Sequence, residues 1–229
     1  MPNLIIDQDI QLDPFPAPSV GSSIGGCAPA MYQVIQGDPD DEGGVLLTAT
    51  GSSLAGPPGN FPTVCFSPSR FWPLRKQNVL MDLWIEPDQA ATLFLNSLET
   101  DLMCAGPDGE LYDMSMDLKY PEGIIRISQG AQTHWMETVG PLTPDVLHHY
   151  QVSYQVNLAA KTCSILSVQI DALPAFQVPA SFQNRPAIVL AHPWAAWAVR
   201  PQVQINGNSA MQAANGQVTL KYKANLTWS

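Results

Sequence analysis

Apolar and polar residues alternate one by one along much of this chain, the period of a β-strand with one face in a core. Near the C-terminus Val218, Leu220, Tyr222, Ala224, Leu226 and Trp228 alternate with Gln217, Thr219, Lys221, Lys223, Asn225 and Thr227, which predicts one long strand or two joined at a bend. Tyr150, Val152, Tyr154, Val156 and Leu158 alternate in the same way with His149, Gln151, Ser153, Gln155 and Asn157. After residues 159–162, Leu166, Val168 and Ile170 supply a partner, so these two runs form a hairpin. Further strands are expected over 44–49, 63–67, 79–85, 92–97, 124–128, 187–191 and 203–205, with short helical turns at 88–95 and 143–149. Asp108-Gly109, Asn206-Gly207 and Asn215-Gly216 offer the positive-φ residues that tight turns need.

These strands follow one another without a βαβ rhythm, an internal repeat or a shift in composition, so the fold expected is all-β, an antiparallel two-sheet jelly-roll sandwich. Residues 1–30 differ. Pro14, Pro16, Pro18, Pro29 and the Gly-Ser stretch 21–26 leave little periodicity there, and this part reads as an extended Pro-rich N-terminal arm. The organisation expected is therefore arm 1–30 and a single sandwich domain over 31–229. At 229 residues such a domain buries a sizeable core without metals or disulfides.

The hairpin carries a resemblance. "HHYQVSYQV" at 148–156, "CSILSVQI" at 163–170 and "DALP" at 171–174 resemble a recurring hairpin of the concanavalin A-like lectin/glucanase and laminin G-like jelly rolls. There an Asp-Gly turn follows the second strand; here Asp171 is present and Ala172 replaces the glycine. "VLMDLWIEP" at 79–87 with a long final strand is similar too, since terminal strands meet in that fold. The resemblance implies a sandwich over 32–229 and, by its pattern alone, no activity.

Charge narrows the partners. Twenty acidic residues against ten basic give a net charge of −10, which repels phosphate backbones and anionic lipid headgroups, so no nucleic acid is expected. No apolar run approaches the ~20 residues of a membrane span. Met1–Leu12 lacks the basic and apolar regions of a signal peptide. Cys27, Cys65, Cys104 and Cys163 are widely spaced, with no Cys-x-x-Cys pattern, and are read as buried free thiols, with any of three disulfide pairings left open.

Catalytic patterns are incomplete. Glycoside hydrolases of the resembled fold carry Glu-x-Asp-x-x-Glu on one strand, two of whose carboxyls act as nucleophile and acid. Glu99-Thr100-Asp101 begins that pattern, but position 104 is Cys, and the segment reads as a solvated turn before Gly106-Pro107. The alginate lyases of that fold imply an Arg-rich strand, Gln-x-His and a Tyr-rich strand, of which Arg126 and His134 are all that is present. His148 and His149 are adjacent, face opposite sides of a strand and cannot easily share a metal. No enzyme is expected.

Asp38, Asp40, Asp41 and Glu42, closed by Gly43-Gly44, place four carboxylates in one loop. Hard oxygen ligands of this kind suit calcium, although the spacing departs from the EF-hand loop and an acidic turn is more often simply solvated. Calcium is the one cofactor the sequence admits. Trp72 in "RFWPLRK", and Trp194 and Trp197 in "HPWAAWAVRP", are the aromatic candidates for stacking on sugar rings or anchoring a protein; Trp84 and Trp228 read as core or inter-sheet residues.

The function expected on these grounds is a non-enzymatic structural or adhesion subunit of a larger assembly, such as a virion decoration or surface protein. In that reading other protein subunits, most simply further copies of this chain, engage through the N-terminal arm. A free carbohydrate-binding lectin-like module, with glycans as ligands, is the alternative, and a divergent polysaccharide hydrolase or lyase a third.

Overall fold

In the computed structural model of the chain, residues 9–11, 19–22, 31–36, 45–52, 62–66, 72–74, 76–129, 133–183, 188–189, 196–208 and 217–228 are described. The strands run β1 (Asp9–Gln11), β2 (Ser19–Ser22), β3 (Met31–Gln36), β4 (Val45–Ser52), β5 (Pro62–Phe66), β6 (Trp72–Pro73), β7 (Asn78–Pro87), β8 (Leu95–Ala105) and β9 (Glu110–Lys119). They continue as β10 (Ile124–Gln129), β11 (Thr133–Thr138), β12 (His148–Asn157), β13 (Thr162–Ile170), β14 (Phe176–Gln177), β15 (Ile188–Val189), β16 (Ala198–Gly207) and β17 (Gln217–Trp228). A single helical turn, α1 (Ala91–Phe94), and a 3-10 turn (Ala180–Phe182) are the helical segments among the described residues.

The strands form two sheets, and every pairing is antiparallel. The first runs β14-β13-β12-β7-β17-β4-β3, with β1 beside the end of β17 that β4 leaves uncovered. The second runs β11-β10-β9-β8-β16-β5-β2, with β15 on β9 and β6 on β16. This is the expected all-β two-sheet sandwich, and β7 meets the final strand from Leu220↔Pro87 to Trp228↔Val79.

Alternation decides which face is buried. On β7, Val79, Met81, Leu83 and Ile85 are buried while Leu80, Asp82, Trp84 and Glu86 are half-buried on the other face. On β12, Tyr150, Val152, Tyr154 and Val156 point the same way. The opposing sheet contributes Leu98, Leu102, Met114, Met116, Leu118, Ile125 and Ile127. Each such side chain taken fully from water contributes about 1.5–3 kcal/mol before entropy is counted, so this shared core is what holds the sheets face to face.

Three details depart from the expectations. Residues 99–101 lie within β8 and not in a solvated turn; Asn206-Gly207 ends β16 with a bulge against β8 instead of turning the chain; and Trp84 stands on the face of β7 away from the core. Over 143–149 there is a turn with Asp145 at φ 58, and His148 already opens β12. The turn at Asp108-Gly109 joins β8 to β9, with Gly109 at φ 83. After β13 it is Asp171 itself that takes positive φ, 49, and its carboxylate accepts the His149 N–H at 2.7 Å. That bond holds the turn without the glycine of the resembled motif.

Candidate functional site

The outward face of the second sheet is polar across four strands. Register places Arg126, Asp117, Glu99 and Gln204 in one row across β10, β9, β8 and β16. The next row holds Ser115, Asp101 and Gln202, and the one after it Asp113, Met103 and Arg200. The other side of the same strands carries Leu98, Leu102, Met114, Met116 and Val199 into the core. Strand period alone therefore separates a greasy face from a face of carboxyls and amides.

The side chains of this face bond across the strands. Ser115 Oγ donates to Glu99 Oε1 at 2.7 Å, and Gln204 Nε2 donates to Glu99 Oε2 at 2.9 Å. Gln202 Nε2 donates to Asp101 Oδ2 at 2.9 Å. Asn206 Nδ2 donates to Ser97 Oγ at 3.1 Å and its Oδ1 accepts from Gln204 Nε2 at 3.0 Å. Arg126 grips Asp117, with Nε 2.9 Å from Oδ2 and Nη2 on the same oxygen. Ser128 and His134, paired by register on β10 and β11, bond through Nδ1 at 2.9 Å.

Asp101 is the exception in this network. It is 3% exposed, and its Oδ1 is buried without a hydrogen bond of ordinary geometry, although the Ser115 hydroxyl beside it is near enough to oppose the rise in its carboxyl. Burial pushes its carboxyl well above the ordinary range, and the neighbouring Glu99 and Asp113 charges push it further. Burial likewise raises Glu99, assisted by Asp117 and opposed by the Ser115 hydrogen bond. Burial lowers the Lys119 ammonium. A carboxyl held neutral both donates and accepts hydrogen bonds, which suits a ligand rich in hydroxyl groups.

Of the residues singled out from the sequence, this face collects Glu99, Asp101, Arg126 and His134. Arg126 is spent on Asp117, and position 104 faces the core, so Met103 is the next outward residue of β8 after Asp101. Trp197 lies at one end of the sandwich, half-buried against the core, its ring 6.0 Å from that of Tyr112. Its ring also closes over Gly106, where an added Cβ would meet it at 2.8 Å. Trp72 pairs with Val199 through its backbone, and its side chain lies outside the described residues, as do Trp194 and the acidic loop of Asp38, Asp40, Asp41 and Glu42. Among the described residues no group of three or more His, Cys, Asp or Glu is arranged to hold a metal ion.

Sequence reading missed Asp113, Ser115, Asp117, Gln202 and Gln204. A signal for the first three was present: Tyr112, Met114, Met116 and Leu118 alternate with Asp113, Ser115, Asp117 and Lys119 as cleanly as any strand in the chain. For β16 the proline at 201 and the Asn-Gly pair mask a similar alternation.

No family model matches the chain, and no curated protein matches it. Among solved structures it is similar to the winged bean acidic lectin complexed with methyl-α-D-galactose, at 9% identity over 96% of this chain and 97% of that one, with a TM-score of 0.49. It is similar to the Emp47p carbohydrate recognition domain at 13% identity over 86% and 88%, TM-score 0.48. Alginate lyase vAL-1 from Chlorella virus matches at 8% identity over 92% of both chains, TM-score 0.47. The resemblance to concanavalin A-like lectins and lectin-fold lyases is one of fold.

Proposed function

We propose that the chain binds neutral saccharides on the outward face of the second sheet, without cleaving them. The observation that carries this reading is the buried Oδ1 of Asp101, without a hydrogen bond of ordinary geometry, at the floor of a polar field. A buried carboxyl oxygen without a full partner calls for an explanation, and a ligand hydroxyl, which both donates and accepts, reaching between the half-buried Glu99, Ser115, Gln202 and Gln204 supplies one. Two features argue for the neutral class. Glu99, Asp101, Asp113 and Asp117 offer carboxyl oxygens that accept from hydroxyl donors, and the guanidinium of Arg126 is already matched to Asp117. Two others argue for binding over hydrolysis: both Glu99 oxygens are held by Ser115 and Gln204, and β8 presents no further outward carboxyl beyond Asp101.

The test is a glycan array containing neutral and uronate oligosaccharides, followed by calorimetric titration of Gln202→Ala, Glu99→Gln, Trp72→Ala and Trp194→Ala. Neutral glycans are expected to bind, and Gln202→Ala to weaken them about tenfold, the cost of one or two hydrogen bonds. Preference for polyuronates, or affinity unmoved by both Gln202→Ala and Glu99→Gln, would falsify the reading. A fall confined to the tryptophan variants would move the ligand to the aromatic loops.

A second reading is that the chain is a subunit of a larger assembly, joined by its N-terminal arm. It is favoured by the way the arm engages the sandwich: β1 and β2, three and four residues long, add to β17 and β5 by antiparallel strand pairing. The same bonds form equally well when a neighbouring copy supplies the strands. A native chain that runs at its monomer mass of 24.8 kDa overturns this reading.

A further inference from the structure

We propose that Cys104 and Cys163 form a disulfide that pins the two sheets together. They belong to opposite layers, Cys104 on β8 and Cys163 at the start of β13, and both are free thiols in this structure with no solvent exposure. Tyr112 fixes their relation. It stands opposite Cys104 in the β8–β9 register, crosses the sandwich, and donates its hydroxyl hydrogen bond to the Lys161 carbonyl, two residues before Cys163. Lys161 in turn reaches back to Asp108 and, at 3.2 Å, to Glu110 at the turn that follows Cys104. The ends of the two sheets are thus drawn together at this point, and the Cys163 thiol lies within hydrogen-bonding reach of Cys104. A disulfide needs Cβ atoms roughly 3.5–4.5 Å apart, a closure that facing, hydrogen-bonded thiols approach, and sandwich domains accommodate inter-sheet disulfides of this kind.

The oxidant is a small disulfide such as oxidised glutathione. One cysteine thiolate attacks it, releasing one glutathione thiolate and leaving a mixed disulfide; the second cysteine attacks the protein sulfur of that bond and releases another. Two thiols become one disulfide, one glutathione disulfide becomes two thiols, and the two protons leave with the glutathione. The neighbouring Cys104 thiol and burial both push the Cys163 thiol up, so the folded chain holds little thiolate there. Exchange therefore belongs to folding, before the sheets close, and the finished bond is shielded from reduction.

The full chain carrying Cys27→Ser and Cys65→Ser is unfolded in reductant and refolded in a glutathione redox buffer, then denatured, alkylated and weighed. The expected product takes up no alkylating agent, is about 2 Da lighter than the dithiol, and melts about 5–10 °C above the reduced chain, since the bond closes a loop of roughly 60 residues. Peptide mapping of the unaltered chain after the same treatment covers the case in which the double variant fails to fold; a linked peptide pair containing Cys104 and Cys163 is expected. Refolded protein in which both thiols are alkylated, or in which either cysteine is joined to Cys27 or Cys65, overturns the proposal.

Discussion

Asp101 carries a cost that the rest of its row does not. Glu99 is bonded at both oxygens, and Asp117 is matched to Arg126, whereas Asp101 has one oxygen bonded to Gln202 and the other buried without a hydrogen bond of ordinary geometry. The raised carboxyl gives this a pH dependence with a definite sign. The folded chain holds Asp101 protonated where the unfolded chain, with an ordinary value near 3.9, has already ionised it. Stability is therefore full below that ordinary value and is lost as pH rises toward the folded value; Glu99 acts in the same direction. Asp101→Asn imitates the neutral form at every pH. Melting curves from pH 4 to 8 should show the parent chain losing stability as pH rises from the acid end, and the variant flatter and about 3 °C or more higher at pH 7. Equal slopes for the two chains would show that burial is not what governs this carboxyl.

At the scale of elements, what the sequence made legible was whatever had one buried face and one wet one. β7, β12, β13 and β17 alternate for that reason, and their pairing with one another follows from the hairpin and from the length of the last strand. β8 was obscured because polar residues on both its faces are buried: Ser97, Thr100 and Asp101 are as buried as Leu98 and Leu102, so a period-two pattern never emerges. Of β16 only 203–205 was legible, and the first half hid behind Pro201. The ring falls between the stretches of that edge claimed by β6 and by β5, where among the described residues no partner loses a ladder bond to it. The β10 neighbourhood depends on a close backbone approach that no pattern announces. Gly123, at φ +66, accepts the Val139 and Gly140 N–H groups at 2.8 and 3.1 Å, and a Cβ there would lie 1.9 Å from the Gly140 carbonyl. Gly140, at φ +85, has nothing within 4 Å of an added Cβ. Gly123→Ala should thus cost about 3 kcal/mol or more, because backbone must move, and Gly140→Ala about 1–2 kcal/mol of left-handed strain alone. Denaturant unfolding of the pair checks the difference, and equal losses would mean that strain, not contact, sets both.

For the molecule as a whole, the arm is held to the sandwich by backbone ladders, β1 pairing with Asn225–Thr227 and β2 with Pro62–Cys65. Deleting residues 1–30 removes the ladder bonds of β1 and β2 and keeps every residue of β7, β8, β9, β12 and β17, so the sandwich is expected to fold and keep its β-sheet circular dichroism. What changes is association. If copies exchange arms, light scattering on the parent chain gives an assembly, and the truncated chain, with its donor strands gone, falls to a monomer. If each arm stays on its own sandwich, the parent is already a monomer, and truncation bares the edges of β17 and β5, which promotes irregular aggregation in place of a defined complex. The assembly reading expects the first pair of results. It fails on the second, and the proposed saccharide-binding face of the second sheet, whose Glu99, Asp101, Gln202 and Gln204 lie on β8 and β16 with β5 between them and β2, stands or falls separately on its own titration.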